Sequence, residues 1–300
     1  MGRILMTWEL GRGLGHLVPL ISLASGLRSQ GHHVELAVRD PVAAGPLLQS
    51  TGITFHAAPI PPIAASGQPL ASYPQILRQV GFDKLPALRG RLHAWQALFD
   101  AARPELLICD HSPTALLAAR ATGLKAIVTG TGFTVPPDIA PLPDLRPWNP
   151  ADPAQLVQDE AHVLGHMNAV LKEARAPQLE RLAQLFQGNA QVLFTLRELD
   201  NYAEWRQTDY WGPITTNTDE PVVWPPGDGP RIFAYLRRFD TLPALLTGLR
   251  DSGQPTLIYM PQQTRELVER FEGGNMHFSD VPLDMVSVAR QSDLAVMHAG

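Results

Sequence analysis

The sequence contains a single cysteine, Cys109, among its 300 residues. One cysteine cannot form an internal disulfide, and sparse cysteine use is typical of proteins in a reducing compartment. No stretch approaches the roughly 20 apolar residues of a membrane span, and the apolar run at the N-terminus is too short for a signal peptide. We therefore expect a soluble, cytoplasmic protein without a transmembrane segment.

The sequence also lacks an excess of positive charge. Its formal net charge is −5, which gives no electrostatic footprint for nucleic acid, so we expect no nucleic-acid partner. No Asp-x-Asp motif occurs and the histidines show no metal-ligand spacing, so we expect no metal. Nothing in the sequence indicates the oligomeric state. Hydrophobic residues make up 45% and charged residues 18%, which is a globular composition.

Apolar runs of strand length alternate with helix-length segments, and this alternation predicts an α/β fold with parallel sheets. The first strands are predicted at 3–8, 33–39, 53–58, 105–110, 125–130 and 191–196, and the helices between them at 17–30, 84–102, 113–122 and 152–187. Two proline-rich stretches, 59–74 and 135–150, are predicted to be irregular loops.

Residues 210–230 have the composition of a linker, and the alternation restarts after them. The later strands are predicted at 231–236, 256–260, 276–279 and 293–298, with helices at 241–252, 264–272 and 283–291. We predict an N-terminal domain over 1–212, a linker over 213–230 and a second domain over 231–300. Because no helix follows the last predicted strand to cover its sheet, we expect a fragment whose second domain is incomplete.

The run Gly11-Arg12-Gly13-Leu14-Gly15-His16 lies between the first predicted strand and helix. A dinucleotide fingerprint there requires Gly-x-Gly-x-x-Gly and an acidic residue about 20 positions later. Gly11 and Gly13 fit, and Glu35 or Asp40 could supply the acid. A histidine holds the third position, where its imidazole would obstruct close packing of helix and strand. An NAD(P)-dependent oxidoreductase is therefore the weaker interpretation.

The second interpretation begins with the histidine itself, His16. Imidazole titrates near neutral pH, so it can take a proton from a hydroxyl when a carboxylate orients the ring. Asp110 ends the predicted strand 105–110 and can lie at the same sheet edge. The structural alternative is that His16 only begins a helix and that Asp110 caps the helix starting near Pro113.

Four segments of the chain resemble a known family. Residues 11–40, GRGLGHLVPLISLASGLRSQGHHVELAVRD, resemble the N-terminal Gly-His-x-x-Pro segment of GT-B glycosyltransferases in the UDP-glycosyltransferase-like group, which includes macrolide and plant natural-product enzymes. Residues 104–127 resemble the strand with the acidic partner, and YWGPI at 210–214 resembles the interdomain segment. Residues 278–300 are similar to the beginning of the donor-binding motif. The resemblance implies an α/β fold with two Rossmann-like domains.

The resemblance also implies roles for individual residues. His16 would be the general base that deprotonates the acceptor, and Asp110 the carboxylate that orients it. On the donor side, the motif positions are Val281, whose backbone region would contact the base, together with Pro282, His298 and Gly300. His298 would hold the donor diphosphate.

Two residues depart from the donor motif of the plant enzymes. Asp280 stands where those enzymes stack a tryptophan on uracil, and Leu283 replaces their glutamine. Uridine specificity therefore does not follow from the motif, and the donor is expected to be a UDP- or TDP-sugar.

Five further positions are candidates for ligand contact. Arg237, after a predicted strand, could meet a diphosphate, although arginines at strand ends are commonly solvated. Phe133 and Trp148, in or near the second proline-rich stretch, could line an acceptor pocket or serve only in packing. Gly13 and Gly15 would keep backbone away from the acceptor.

The resemblance predicts a hexosyltransferase that moves a sugar from a nucleotide-diphosphate donor to a hydroxyl of a small or lipid-like acceptor, with inversion. No cofactor beyond this co-substrate is expected. Two alternatives stay open, a non-catalytic ligand-binding protein of the same fold and the oxidoreductase above. Because the helix expected to receive the diphosphate would follow Gly300, residues 1–300 alone are expected to be inactive.

Overall fold

The computed structural model describes residues 1–11, 15–61, 70–188, 190–214, 222–261 and 263–297. The chain divides into two compact units, Met1–Ile214 and Thr215–Gly300. Part of the predicted linker, 215–221, lies outside the described residues. Within the described ranges, no helix has the length and apolar character needed to cross a membrane.

Six strands of the first unit form one parallel sheet. They are β1 (Arg3–Trp8), β2 (His33–Val38), β3 (Thr54–Ala57), β4 (Leu106–Asp110), β5 (Ala126–Gly130) and β6 (Ala190–Leu193). Their order across the sheet is β3-β2-β1-β4-β5-β6, with parallel pairing throughout. This is the order of the doubly wound Rossmann fold, which binds ligands beyond the carboxyl ends of the strands where the order reverses. In this sheet the reversal lies between β1 and β4.

Helices pack on both faces of this sheet. They are α1 (Leu17–Ser29), α2 (Pro41–Gln49), α3 (Tyr73–Leu77), α4 (Leu85–Ala102), α5 (Pro113–Thr122) and α6 (Pro153–Glu173). Successive residues of β1 point to opposite faces, as the pleat of a strand requires. Leu5 belongs to the core cluster that contains Trp95 of α4, whereas Met6 belongs to the cluster that contains Leu20 of α1.

One helix prediction in this unit is wrong, and one loop prediction differs from the structure at its last two residues. The helix predicted over 152–187 ends at Glu173, because Arg175 adopts a left-handed conformation (φ 54°) and Pro177 disfavours helical backbone before it. Helix α3 begins at Tyr73, inside the loop predicted over 59–74. Residues 62–69 of that loop lie outside the described part of the chain. Helix α2 was not predicted.

The second unit contains a smaller parallel sheet. Its strands are β7 (Ile232–Tyr235), β8 (Thr256–Tyr259), β9 (Met276–Ser279) and β10 (Leu294–Met297), and its helices are α7 (Leu242–Asp251), α8 (Arg265–Phe271) and α9 (Met285–Gln291). The order β10-β7-β8-β9 repeats the arrangement β4-β1-β2-β3 of the first sheet. The predicted fold class, α/β with two Rossmann-like sheets, is confirmed.

Candidate functional site

Two titratable side chains meet where the strand order of the first sheet reverses. Asp110 is the last residue of β4, and His16 directly precedes α1 in the loop that follows β1. Nδ1 of His16 lies 3.2 Å from each carboxylate oxygen of Asp110. The His16 side chain keeps 19% of its surface exposed, whereas Asp110 keeps 7%. The pair is therefore sheltered, with the imidazole still accessible to a ligand.

The structure contradicts the alternative in which Asp110 caps α5. The residue at the capping position is Ser112, and the backbone N–H of Thr114 donates to a carboxylate oxygen of Glu9 at 2.8 Å. His16 does occupy the capping position of α1, but its side chain makes no capping hydrogen bond. The Asp110 carboxylate and the His16 imidazole are engaged with each other instead.

Gly11 makes room for the imidazole. Its φ is 87°, in the left-handed region, and a Cβ added there would overlap Nε2 of His16. Since Asp110 engages Nδ1, Nε2 is the nitrogen that an approaching hydroxyl would meet, and Gly11 keeps the space beside it free. Gly15 is exposed, and a Cβ added there would meet no atom within 4 Å. Gly13 lies outside the described residues.

Replacing Gly11 with alanine is expected to displace the His16 ring. The positive φ costs an alanine about 1–3 kcal/mol, and the added methyl overlaps Nε2. We expect at least a roughly tenfold loss of kcat in whatever reaction His16 serves. Gly31→Ala is the matched control, because Gly31 has a φ of 88° with nothing within 4 Å of the added Cβ. Equal stability loss with an equal loss of kcat in both variants would show that the His16 contact is irrelevant.

Aromatic rings surround the pair. Trp8 stacks on His16 with ring centroids 6.0 Å apart. The His111 ring is tilted against the His16 ring, with centroids 5.7 Å apart. His111 is buried in a left-handed conformation, with a φ of 45°. Burial, and then the charges of His16 and Arg39, hold the pKa of His111 well below its usual value. His111 is therefore uncharged at neutral pH beside the His16–Asp110 pair.

The two aromatic candidates for the acceptor side differ in position. Phe133 packs edge-on against His111 with centroids 5.5 Å apart, so it belongs to the surroundings of the pair. Trp148 is 77% exposed in the segment before α6, and no described ring contact connects it to His16. The structure thus brings Phe133 to the site and does not bring Trp148 there.

Sequence reasoning missed Glu9, the residue after β1. Its carboxylate is fully buried, and it accepts hydrogen bonds from the backbone N–H and the hydroxyl of Thr114 at 2.8 and 2.5 Å. Burial raises the pKa of Glu9 to about 7, although those hydrogen bonds and the charge of Arg91 act in the opposite direction. The available signal was an acidic residue interrupting the apolar run RILMTWEL.

Glu9 is expected to make stability depend on pH. Between about pH 4.5 and pH 7 the folded protein holds a proton that the unfolded chain has released, so the free energy of unfolding falls as pH rises and levels off above pH 7. The expected decline is up to about 3 kcal/mol. Urea unfolding across this range should show that Glu9→Gln removes the decline and that the exposed control Glu198→Gln retains it. The same slope in Glu9→Gln and wild type would contradict the assignment.

The donor-side candidates lie at the carboxyl edge of the second sheet. Arg237 is exposed, two residues after β7, and Val281 and Pro282 are exposed in the loop after β9. The backbone carbonyl of Val281 accepts a hydrogen bond from the Ser279 hydroxyl at 2.7 Å. Because β8 separates β7 from β9, the structure places these candidates at one edge without bringing Arg237 to the other two. His298 and Gly300 lie outside the described residues.

Both acidic residues of the dinucleotide interpretation have local partners. The Glu35 carboxylate contacts ring nitrogens of His33 and His56 at 2.8 and 2.6 Å. Asp40 caps α2 by accepting hydrogen bonds from the backbone N–H groups of Val42 and Ala43. Glu35 thus has a partner on each carboxylate oxygen, and Asp40 serves as a helix cap through Oδ1, which weighs against a dinucleotide in this loop.

The fold of this chain is similar to those of several solved glycosyltransferases. The kitacinnamycin glycotransferase is 20% identical, with a TM-score of 0.66 over 100% of this chain and 76% of its own. The spinosyn rhamnosyltransferase SpnG in complex with spinosyn aglycone is 14% identical, with a TM-score of 0.57 over 98% of this chain and 74% of its own. A Streptomyces sp. SF2575 glycosyltransferase in complex with thymidine diphosphate is 16% identical, with a TM-score of 0.56 over 99% and 76%.

The chain has the GT-B fold. At these identities the likeness establishes the fold, in agreement with the two sheet orders described above. No protein-family model matches the chain, and no curated protein matches it. In the GT-B fold of this chain, the His16–Asp110 pair belongs to the first Rossmann-like sheet, and Arg237, Val281 and Pro282 belong to the second.

Proposed function

We propose that this protein transfers a sugar from a nucleotide-diphosphate donor to a hydroxyl of a small or lipid-like acceptor. The observation that carries the proposal is the contact of His16 Nδ1 with both Asp110 carboxylate oxygens, 3.2 Å each, at the strand-order reversal of the first sheet. The GT-B fold supports it, since the structural neighbours include a glycosyltransferase with thymidine diphosphate and one with an aglycone.

In this proposal His16 is the general base. Nδ1–H of the ring donates a hydrogen bond to the Asp110 carboxylate, which leaves Nε2 unprotonated and able to take the proton of the acceptor hydroxyl. The acceptor oxygen forms a bond to the anomeric carbon while the bond from that carbon to the donor diphosphate breaks, and the electron pair leaves with the nucleotide diphosphate. Attack opposite the leaving group inverts the anomeric configuration. Asp110 then stabilises the imidazolium until the proton is released to water.

The donor and acceptor contacts follow from the positions of the candidates. We assign the donor to the second unit, with a UDP- or TDP-sugar contacting Arg237, Val281, Pro282, His298 and Gly300. Arginine and histidine would offset the charge that develops on the departing diphosphate. The acceptor is assigned to the first unit near Gly13, Gly15 and Phe133, and Trp148 is a peripheral candidate because of its exposure. No further cofactor is part of this scheme.

Mass spectrometry of the full-length protein with UDP- and TDP-sugars and a panel of hydroxyl-bearing acceptors tests the proposal. We expect a product heavier than the acceptor by one anhydro-sugar, formed together with the free nucleoside diphosphate. Thermal unfolding supplies a test that needs no turnover, because a ligand that binds the folded state raises the Tm. UDP or TDP should raise it, and NAD(P) should not. A rise with NAD(P) alone, without transfer to any acceptor, would overturn the proposal.

A further inference from the structure

Glu9 connects the end of β1 to the segment that follows Asp110. It follows Trp8, which is the register partner of Asp110 in the β1–β4 pairing. The Glu9 carboxylate accepts the backbone N–H and the hydroxyl of Thr114, in the first turn of α5. A residue at the end of β1 thereby holds the start of the helix that follows β4.

A second connection joins Leu10 to the residue that follows Asp110. The backbone N–H of Leu10 donates to the carbonyl of His111 at 3.0 Å. Arg39, at the end of β2, donates to the backbone carbonyl of Glu9 at 2.7 Å. Glu9 and Leu10 therefore fix both ends of the segment from His111 to Thr114, and Arg39 fixes Glu9 in turn.

The two hydrogen bonds from Thr114 to Glu9, called the clamp below, lie next to a strained backbone. His111, the neighbour of Asp110, has a φ of 45°, which an L-residue other than glycine adopts at a cost and only where its surroundings determine it. If the clamp is released, the backbone at His111 can relax. Asp110 would then rotate with it and lose its two 3.2 Å contacts with Nδ1.

The environment of Glu9 favours the clamp geometry. The carboxylate is fully buried, so the Thr114 hydrogen bonds satisfy oxygens that water does not reach. They also place the carboxylate at the positive end of α5. The Arg91 guanidinium of α4, 7% exposed, adds an attractive charge from the helix packed beside this region.

We propose that Glu9 is a positioning residue that holds Asp110 in register with His16 by anchoring the first turn of α5 to the end of β1. Its role in turnover rests on the proposed sugar transfer. Glu9 acts through Thr114 and the loop between them, and its carboxylate is assigned no contact with donor or acceptor.

Kinetics of four variants test this role. Glu9→Ala removes both hydrogen bonds to Thr114, and Thr114→Val removes only the one from the hydroxyl. We expect kcat to fall by about 10- to 100-fold in Glu9→Ala and by a smaller factor in Thr114→Val, with KM for both substrates within about twofold. Glu9→Gln keeps it, because its amide oxygen can accept the Thr114 N–H while its NH₂ donates to the hydroxyl, so kcat should stay within about threefold of wild type. Asp40→Ala is the matched control, since it also removes a carboxylate that bonds first-turn N–H groups of a helix in the same unit.

A measurement independent of turnover separates this inference from the proposed function. In ¹⁵N-edited NMR, the Nδ1 proton of His16 should exchange with water faster in Glu9→Ala and Thr114→Val than in wild type, Glu9→Gln or Asp40→Ala. If wild type transfers no sugar but exchange changes in this pattern, the proposed function fails and the positioning role stands.

Two outcomes overturn the positioning role. The first is unchanged proton exchange and unchanged kcat in the clamp-breaking variants. The second is a Glu9→Gln variant as impaired as Glu9→Ala, which would show that the charge matters rather than the clamp. If Glu9→Ala does not fold, Thr114→Val and Glu9→Gln carry the same comparison.

Discussion

His16→Ala is expected to lower kcat for sugar transfer by about 10²- to 10⁴-fold, the usual contribution of a positioned general base. The variant removes the only atom assigned to take the acceptor proton, whereas the Asp110 carboxylate and the surrounding core remain. Acceptor KM should change little if His16 acts mainly in the transition state. Initial rates measured by mass spectrometry of the product give kcat for the variant. Thermal unfolding verifies that the variant is folded.

The control for this substitution is His162→Ala, which removes an exposed imidazole from α6. We expect it to retain wild-type kcat. Undiminished transfer by His16→Ala with every acceptor would show that another group takes the proton. If wild type binds UDP or TDP and transfers nothing, the non-catalytic alternative for this fold gains support instead.

Asp110→Asn is expected to reduce kcat by a similar factor, about 10²- to 10⁴-fold, although it changes few atoms. The carboxylate can only accept from Nδ1, so it places the ring proton there and leaves Nε2 as the base. An asparagine amide that donates to Nδ1 would move the proton to Nε2, where it blocks proton abstraction. It also removes the negative charge that stabilises the imidazolium.

The tautomer provides a direct measurement for this second prediction. The ¹⁵N chemical shifts of the His16 ring should show the proton on Nδ1 in wild type and on Nε2 in Asp110→Asn. Asp152→Asn is the control, because Asp152 caps α6 and asparagine caps a helix almost as well. A fully active Asp110→Asn enzyme would show that the 3.2 Å contact has no catalytic role.

Most of the fold could be predicted because its signals are local. The alternation of short apolar runs with amphipathic segments predicts strands and helices from neighbouring residues alone, and the observed α4 and α5 match the predicted bounds within one residue. The errors have local causes as well. The Asp40-Pro41 pair is an N-terminal helix signal for α2, and Pro177 is a signal against a helix that runs from 152 to 187.

The candidate site could be predicted only in part. His16 follows a strand and Asp110 ends one, so a common sheet edge follows from the sequence pattern. Contact also requires β1 and β4 to be neighbours, although the two residues are 94 positions apart in the chain. Glu9 could not be assigned in this way. An acidic residue after a strand is commonly solvated, and only packing shows that this carboxylate is fully buried against the first turn of α5.

The sequence by itself determined the α/β class, the restart of the strand–helix alternation after residue 230 and the residue types at each strand end, because hydrophobic periodicity and turn residues act over short distances along the chain. Tertiary structure decided which strand ends are neighbours and therefore which side chains pair. In the folded protein the Asp110 carboxylate contacts His16 and not the start of α5. The backbone N–H of Thr114 at the start of α5 donates to Glu9 instead. Strand order and burial arise from contacts between residues about 100 positions apart, and no local pattern in the sequence contains them.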